Sequence, residues 1–417
     1  MKTTIAQARS FSRPVQLLLL NQLTINVGFY MLMPYLAGHL SGRLGLAAWL
    51  VGLILGVRNL GQQGMFLVGG SLADRIGYKP MILTGLVLRT VGFALLGLVD
   101  AVPALVVASA LTGLAGAFFN PAVRAYLVRE AGDRTVEAFA VFNVFYQLGI
   151  LLGPLIGLLL TGLAFQVTGL TAAVLFALLA IAQARALPAR RGDLAGAGGN
   201  MLQDWRKALA NRPFLLFSLA MIGSYVLNFQ IYLGLPIEVR RVSGSEIGVT
   251  LLFVVSGALA IVGQLRITSW AESRWTSTQA MVRGLWLMGI AFLPLGTAAA
   301  LRLPTVPTLA CVLLTTVLLT LATLIIYPFE MATIATLGGE RMIGTYYGLY
   351  NTLSGVGIAA GNLLTGAAID AGQRTGAEGL PWWTLGAIGA ACALTLHALS
   401  RKGRLAPEAT DAGKVPA

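Results

Sequence analysis

Apolar residues in this chain fall in long blocks separated by short polar stretches, with no sustained period-2 alternation. A block of about 20 apolar residues matches the thickness of a bilayer crossed by one helix. Twelve such blocks can be drawn, at 14–38, 46–70, 80–99, 103–129, 136–163, 167–187, 213–237, 246–269, 278–300, 308–336, 342–369 and 381–400. The longest polar interruption, 188–212, splits them six and six. The pattern predicts an all-α integral membrane protein of 12 transmembrane helices in two pseudo-symmetric six-helix bundles. The N-terminal bundle is expected at 1–187, a cytoplasmic linker at 188–212, the C-terminal bundle at 213–400 and a cytoplasmic tail at 401–417. The first apolar run has no small-residue cleavage site and leads directly into further spans, so no cleaved signal peptide is expected.

Composition narrows the class. Hydrophobic residues are 57% of the 417 and charged residues only 11%, whereas soluble proteins are roughly a quarter charged. That excludes a soluble enzyme, a disordered chain and a nucleic-acid module. Fifty glycines suit helices that pack closely in lipid. The net charge of +13 is unevenly placed. With the N-terminus inside, 22 of the 29 Lys and Arg fall on cytoplasmic segments and the adjacent helix ends, five on the other side and two deeper within spans. The positive-inside rule therefore puts both termini and the central loop in the cytoplasm. His39, His397, Cys311 and Cys392 are too dispersed for a metal cluster, so no metal is expected.

The halves echo each other at an offset of 207 or 208 residues: Pro121 with Pro328, Asn143 with Asn351, Gly149 and Gly153 with Gly357 and Gly361. Ala73-Asp74-Arg75 after the second span is echoed by Ala271-Glu272-Ser273-Arg274 after the eighth. Two parallel six-helix repeats imply a rocking architecture with a site between them near mid-membrane.

Two motifs stand out. After the second span comes Gly70-Ser-Leu-Ala-Asp74-Arg75-Ile-Gly77-Tyr-Lys79-Pro80. Its glycines permit close approach and a tight turn. Asp74 can pair with a basic side chain or with the start of a neighbouring helix, where negative charge is favoured. Such a contact would hold one end closed and break when the halves rock. In the fifth span, Gly149, Gly153, Pro154 and Gly157 form a thin, kinked face, expected to pack tightly between the halves.

The first motif resembles the loop signature of the major facilitator superfamily, and the second resembles the antiporter motif of its drug:proton exporters. Gly28 and Pro34 in the first span are similar to a partial family motif, with Leu36 in place of its second proline. A closer resemblance to the twelve-span drug:proton antiporter family is carried by Gly56 to Gly64, by Met81 to Phe93 and by Leu380-Pro381-Trp382. The resemblance implies the superfamily's fold, efflux of small amphiphilic molecules driven by a proton gradient without a bound cofactor, and a monomer in the bacterial inner membrane. It departs from the family pattern twice. Ser109 or Thr112 stands where the fourth span usually has arginine, and the first span has Asn21 and Asn26 but no acid.

Charge within a membrane span signals function, since it is costly unless paired or hydrated. Arg58 lies mid-span, one helical turn before Gln62; Arg89 lies in the third span; Arg124 lies toward the inner end of the fourth. Glu330 follows the Pro328 kink in the tenth span. It is the candidate proton carrier, with a structural pairing to Arg124 or another interfacial arginine as the competing role. Arg58 and Arg89 suggest a positive cavity suited to anionic or zwitterionic molecules, or, for Arg58, an anchor for the loop motif. By family analogy the cavity draws on Asn21, Asn26 and Tyr30, on Asn120, Asn143 and Tyr146, and on Tyr225, Asn228, Tyr232, Tyr327 and Asn351. Aromatic faces with scattered amides suit bulky amphiphiles. A dedicated metabolite or siderophore exporter on the same fold, and a non-transporting receptor or scaffold, remain open alternatives. In the linker, Met201 to Leu209 has the spacing of an amphipathic helix lying on the inner leaflet.

Overall fold

The computed structural model describes residues 2–46, 48–161, 163–189, 200–243, 246–339 and 342–405. Linker residues 190–199, Arg341 and the tail beyond 405 lie outside the described residues. The long helices are α2 (Arg13–Gly38), after a short α1 (Lys2–Ser10), then α3 (Ala48–Gly64), α4 (Phe66–Ile76), α5 (Tyr78–Leu98), α6 (Val102–Ala131), α7 (Thr135–Thr161) and α8 (Phe165–Ala186). After the linker helix α9 (Met201–Ala210) come α10 (Arg212–Asn228), α11 (Gly234–Ser243), α12 (Glu246–Glu272), α13 (Ser277–Ala291), α14 (Leu293–Ala300), α15 (Thr305–Gly338), α16 (Ile343–Thr375) and α17 (Leu380–Arg401). Among the described residues, ten segments are long and apolar enough to cross a membrane, making this a multi-pass membrane protein. One of them, 102–160, contains both α6 and α7, separated by a turn at Gly132–Arg134.

Three expected spans are broken, two of them at points where proline dictates the break. The span at 278–300 restarts as α14, whose first turn holds Pro294. Proline lacks an amide hydrogen and is accommodated at a helix start. The span at 213–237 breaks at a 3₁₀ turn, Phe229–Ile231, and resumes with Pro236 in the first turn of α11. The span at 46–70 breaks at Met65 and runs on as α4 to Ile76. Helix starts are satisfied locally: Thr276 and Gln279 form a reciprocal capping box on α13, and Asn211 Oδ1 accepts the Phe214 amide, 3.0 Å, on α10.

Helices before the linker pack mainly on one another, with α5 against α6 and α8, and α2 against α7. Those after it do likewise, with α13 against α15 and α17. In lipid, close van der Waals contact rather than exclusion of water drives such pairing. Gly97 and Gly169 show the consequence: a Cβ on Gly169 would sit 2.7 Å from the Gly97 Cα, so α5 and α8 touch backbone to backbone. The two sets meet where α4 and α6 lie on α16 and where α7 lies on α12 and α15.

Candidate functional site

Asp74 ends α4 with its carboxylate fully buried, aimed at the first turn of α16. It accepts the Gly344 amide at 2.8 Å, the Thr345 amide at 2.6 Å and the Thr345 hydroxyl at 2.6 Å. The helix start is thus one partner of Asp74, as the sequence allowed: unpaired amides and the positive end of the dipole both favour a carboxylate. The glycines allow this contact. A Cβ on Gly70 would lie 2.0 Å from the Gly344 carbonyl oxygen, and one on Gly348 would lie 2.4 Å from that of Phe66. Gly77, at φ 111°, turns the chain from α4 into α5 in a conformation that favours glycine. Arg75 forms an ion pair with Asp204 of α9, Trp205 Nε1 donates to Ser71 Oγ at 2.7 Å, and Lys79 donates to the Ala184 carbonyl at 2.7 Å. The linker helix thus forms as expected and docks on α4 through one side, leaving Leu202 and Leu209 exposed. Glu272, the echo of Asp74, is exposed, so the clamp is one-sided.

Further cross-contacts line the same end. Asn143 donates to Gln264 Oε1 at 2.6 Å, Arg124 donates to Asn351 Oδ1 at 2.9 Å, and Thr352 donates to the Gln63 carbonyl at 3.3 Å. The Phe139 ring meets Tyr327 and Tyr347 at centroid distances of 6.4 and 6.2 Å. The repeat-related Asn143 and Asn351 therefore each hold a partner from the opposite half.

Beyond this seal lies a cavity of about 450 Å³ lined by both halves. Arg58, Arg89, Arg124 and Glu330 all face it. So do Asn26, Tyr30, Asn120, Asn143 and Tyr146 from the first half, and Tyr225, Asn228, Tyr232, Tyr327 and Asn351 from the second. Asn228 donates to Thr323 Oγ1 at 2.7 Å, and Asn26 donates to the Gln22 carbonyl at 2.7 Å.

Three expectations are corrected. Asn21 does not face the cavity: it is fully buried on another side of α2, with neither amide atom hydrogen-bonded. Asn26, five residues on, falls on the cavity side because the 100° turn per residue separates the two. The Gly149, Gly153, Pro154 and Gly157 face does not pack between the halves. It receives α2 of its own half: a Cβ on Gly149 would lie 2.4 Å from Asn26 Cβ, and one on Gly157 would lie 2.0 Å from the Met31 carbonyl. Tyr35 donates to the Pro154 carbonyl at 2.7 Å. Glu330 is not paired with Arg124. It accepts from Ser224 Oγ at 3.2 Å and, closely, from the Tyr350 hydroxyl, while Arg124 bonds to Asn351.

Arg58 donates to Gln62 Oε1 at 3.5 Å and closely to Asn59, and its guanidinium lies 5.2 Å from the Phe29 ring centre. Its neighbours are in the cavity wall, not the loop motif below. The sequence reading missed Gln264, Ser224 and Tyr350. Gln264 was findable as an amide deep in an apolar block. Ser224 and Tyr350 had no local signal, because hydroxyls are common in these helices and only the fold points two of them at one carboxyl.

A clamp across the two halves, a seam and a cavity on that seam are the features of a membrane transporter. Residues 18–362 match the model of the Major Facilitator Superfamily, and the chain belongs to that superfamily; it is a transporter and not an enzyme. An uncharacterised transporter of the superfamily from Mycobacterium tuberculosis is 48% identical over 384 residues, 91% of this chain and 92% of the relative. Multidrug resistance protein MdtH of Yersinia enterocolitica is a homologue at 32% identity over 92% of this chain and 93% of its own length. The fold is shared with the human organic anion transporter MFSD10, at a TM-score of 0.69 and 18% identity over 92% of this chain and 99% of that one. It is shared equally with a POT family transporter, at a TM-score of 0.69 and 15% identity over 94% of this chain and 96% of that one.

Proposed function

We propose that the protein exports small amphiphilic molecules across the bacterial cytoplasmic membrane in exchange for protons. It works as a monomer of 12 crossings, with two rocking six-helix bundles and the Asp74 end and both termini in the cytoplasm. The observation that carries this reading is Glu330: a carboxyl with 3% exposure, in the wall of the cavity, held by two hydroxyls and by no ion pair among the described residues. A carboxyl tied to arginine would stay ionised; one held by hydroxyls can gain and lose a proton, because a hydroxyl donates to the ionised form and can turn to accept from the neutral one. The kinship with MdtH, a multidrug resistance protein, supports a small-molecule exporter, and the aromatic side chains interleaved with amides in the cavity wall support an amphiphilic cargo.

In this cycle the clamp is closed and the cavity faces outward. A proton from outside loads Glu330 and cargo leaves. The neutral carboxyl lets the halves rock; the Asp74 contacts break, the cavity opens inward, the proton departs and new cargo enters. With no nucleotide-binding motif in the chain, the proton gradient supplies the energy. Purified protein in liposomes, given a pH gradient and an amphiphilic dye of either charge, rhodamine 6G or dansylglycine, should accumulate dye against its gradient. Glu330→Gln should abolish the gradient-driven component while leaving dye exchange at equal pH. Unchanged dependence on the gradient would remove Glu330 from the carrier role; no proton-linked movement of any amphiphile would end the proposal.

A further inference from the structure

Among the described residues, the first-half wall of the cavity holds three cations and no anion; Arg124 reaches across to Asn351 of the other half, which leaves Arg58 and Arg89. Arg89 is 5% exposed, lines the cavity and has an Nε without a hydrogen-bond partner. Its guanidinium is caged by three rings, at 5.7 Å from Phe29, 5.9 Å from Phe119 and 6.0 Å from Phe176. Arg58 stands over the same Phe29 ring from the cavity side. Its recorded partners are amide oxygens, Asn59 and Gln62, neither of which carries charge. Among the described residues no carboxylate forms an ion pair with either arginine, and the cavity's one acid, Glu330, is bound to Ser224 and Tyr350 on the other half.

A buried guanidinium needs a compensating charge or its full set of hydrogen bonds. Aromatic faces attract a cation but accept no N–H bond in the manner of an oxygen, and two like charges over one ring repel each other. The wall is therefore built for an anion it does not contain. Because both arginines line an open cavity, that anion can arrive with the cargo.

We propose that Arg89, with Arg58, is a binding subsite for a carboxylate group on the cargo, so that the preferred substrates are aromatic amphiphiles bearing a carboxylate. This deepens the export reading and rests on it. The planar guanidinium forks match a carboxylate's two oxygens, while the phenylalanine cage and the tyrosines opposite receive the apolar body.

The test uses full-length protein in nanodiscs and three probes with one fluorophore: dansylglycine, its methyl ester and dansylcadaverine. Dansylglycine should bind at least ~10-fold more tightly than the ester, and the cationic probe most weakly. Arg89→Gln should lower dansylglycine affinity ~10-fold or more without changing the ester, and Arg89→Lys should retain part of the preference. The empty Arg89→Gln protein should melt no lower than wild type, since it loses a charge that lacked a partner. Dansylglycine should raise the melting temperature of wild type only. Equal binding of acid and ester, an equal loss of both in Arg89→Gln, or preference for the cation would overturn the subsite. If dye export coupled to protons persists in any of those cases, the export reading stands without it; if no proton-linked transport occurs, both fall.

Discussion

Asn21 and Glu330 show how differently a polar side chain can be used at membrane depth. Both are buried in apolar helices. Glu330 has two donors and faces a cavity; Asn21 has neither partner nor cavity. An unsatisfied buried amide costs about 1–3 kcal/mol, so Asn21→Leu should stabilise the protein, raising its melting temperature, and should leave transport rates unchanged. A fall in transport with intact folding would return Asn21 to the functional set. From sequence the two residues are alike, each a polar letter in an apolar block. What separates them is the angular position of each on its helix relative to a seam that exists only after folding.

At the level of elements, the loop motif announces the α4–α16 contact, which the proposed cycle makes and breaks. The motif's residue types were legible because each does a recognisable job: glycine for approach, aspartate for a helix start. The recipient was not, since α16 begins 270 residues later in the chain. A carboxylate on a helix N-terminus with charge-assisted bonds is worth about 1.5–3 kcal/mol. Asp74→Asn keeps shape but removes the charge. It should move the equilibrium toward the state open at the clamp end by roughly 30-fold for a 2 kcal/mol loss. Distances between spin labels at the ends of α4 and α16 would report this; an unchanged distribution would show that the glycine packing alone holds the end shut. By contrast, α7's small-residue face serves the α2–α7 pair. Gly157→Val, overpacked against the Met31 carbonyl, should destabilise the fold by about 1–3 kcal/mol, read as a lower melting temperature. It should leave the Asp74 clamp distances where they are in protein that folds.

The molecule as a whole is a seam between two packed sets of helices, shut at one end and hollow beyond. Tyr232 lines the hollow and is 47% exposed. In a cysteine-free background, Tyr232→Cys should react with a membrane-impermeant thiol reagent from the periplasmic face, and Asp74→Asn should slow that reaction as the resting population shifts. Labelling only from the cytoplasm would invert the proposed orientation.

Hydrophobic blocks and the placement of basic residues determine that this chain lives in a membrane as helices, because lipid leaves the backbone no other partner and the translocating chain few choices of side. Short-range chemistry also marks which loop carries the clamp, and Pro236 and Pro294 fit the restarts of α11 and α14, which the apolar blocks did not show. The tertiary structure decides which residues share the cavity, that Glu330 is held by hydroxyls rather than by Arg124, and that Arg58 and Arg89 stand together with no acid paired to either among the described residues. Those outcomes depend on how helices distant in sequence rotate against one another. A side chain's neighbours across a seam are set by that rotation, which no local pattern encodes.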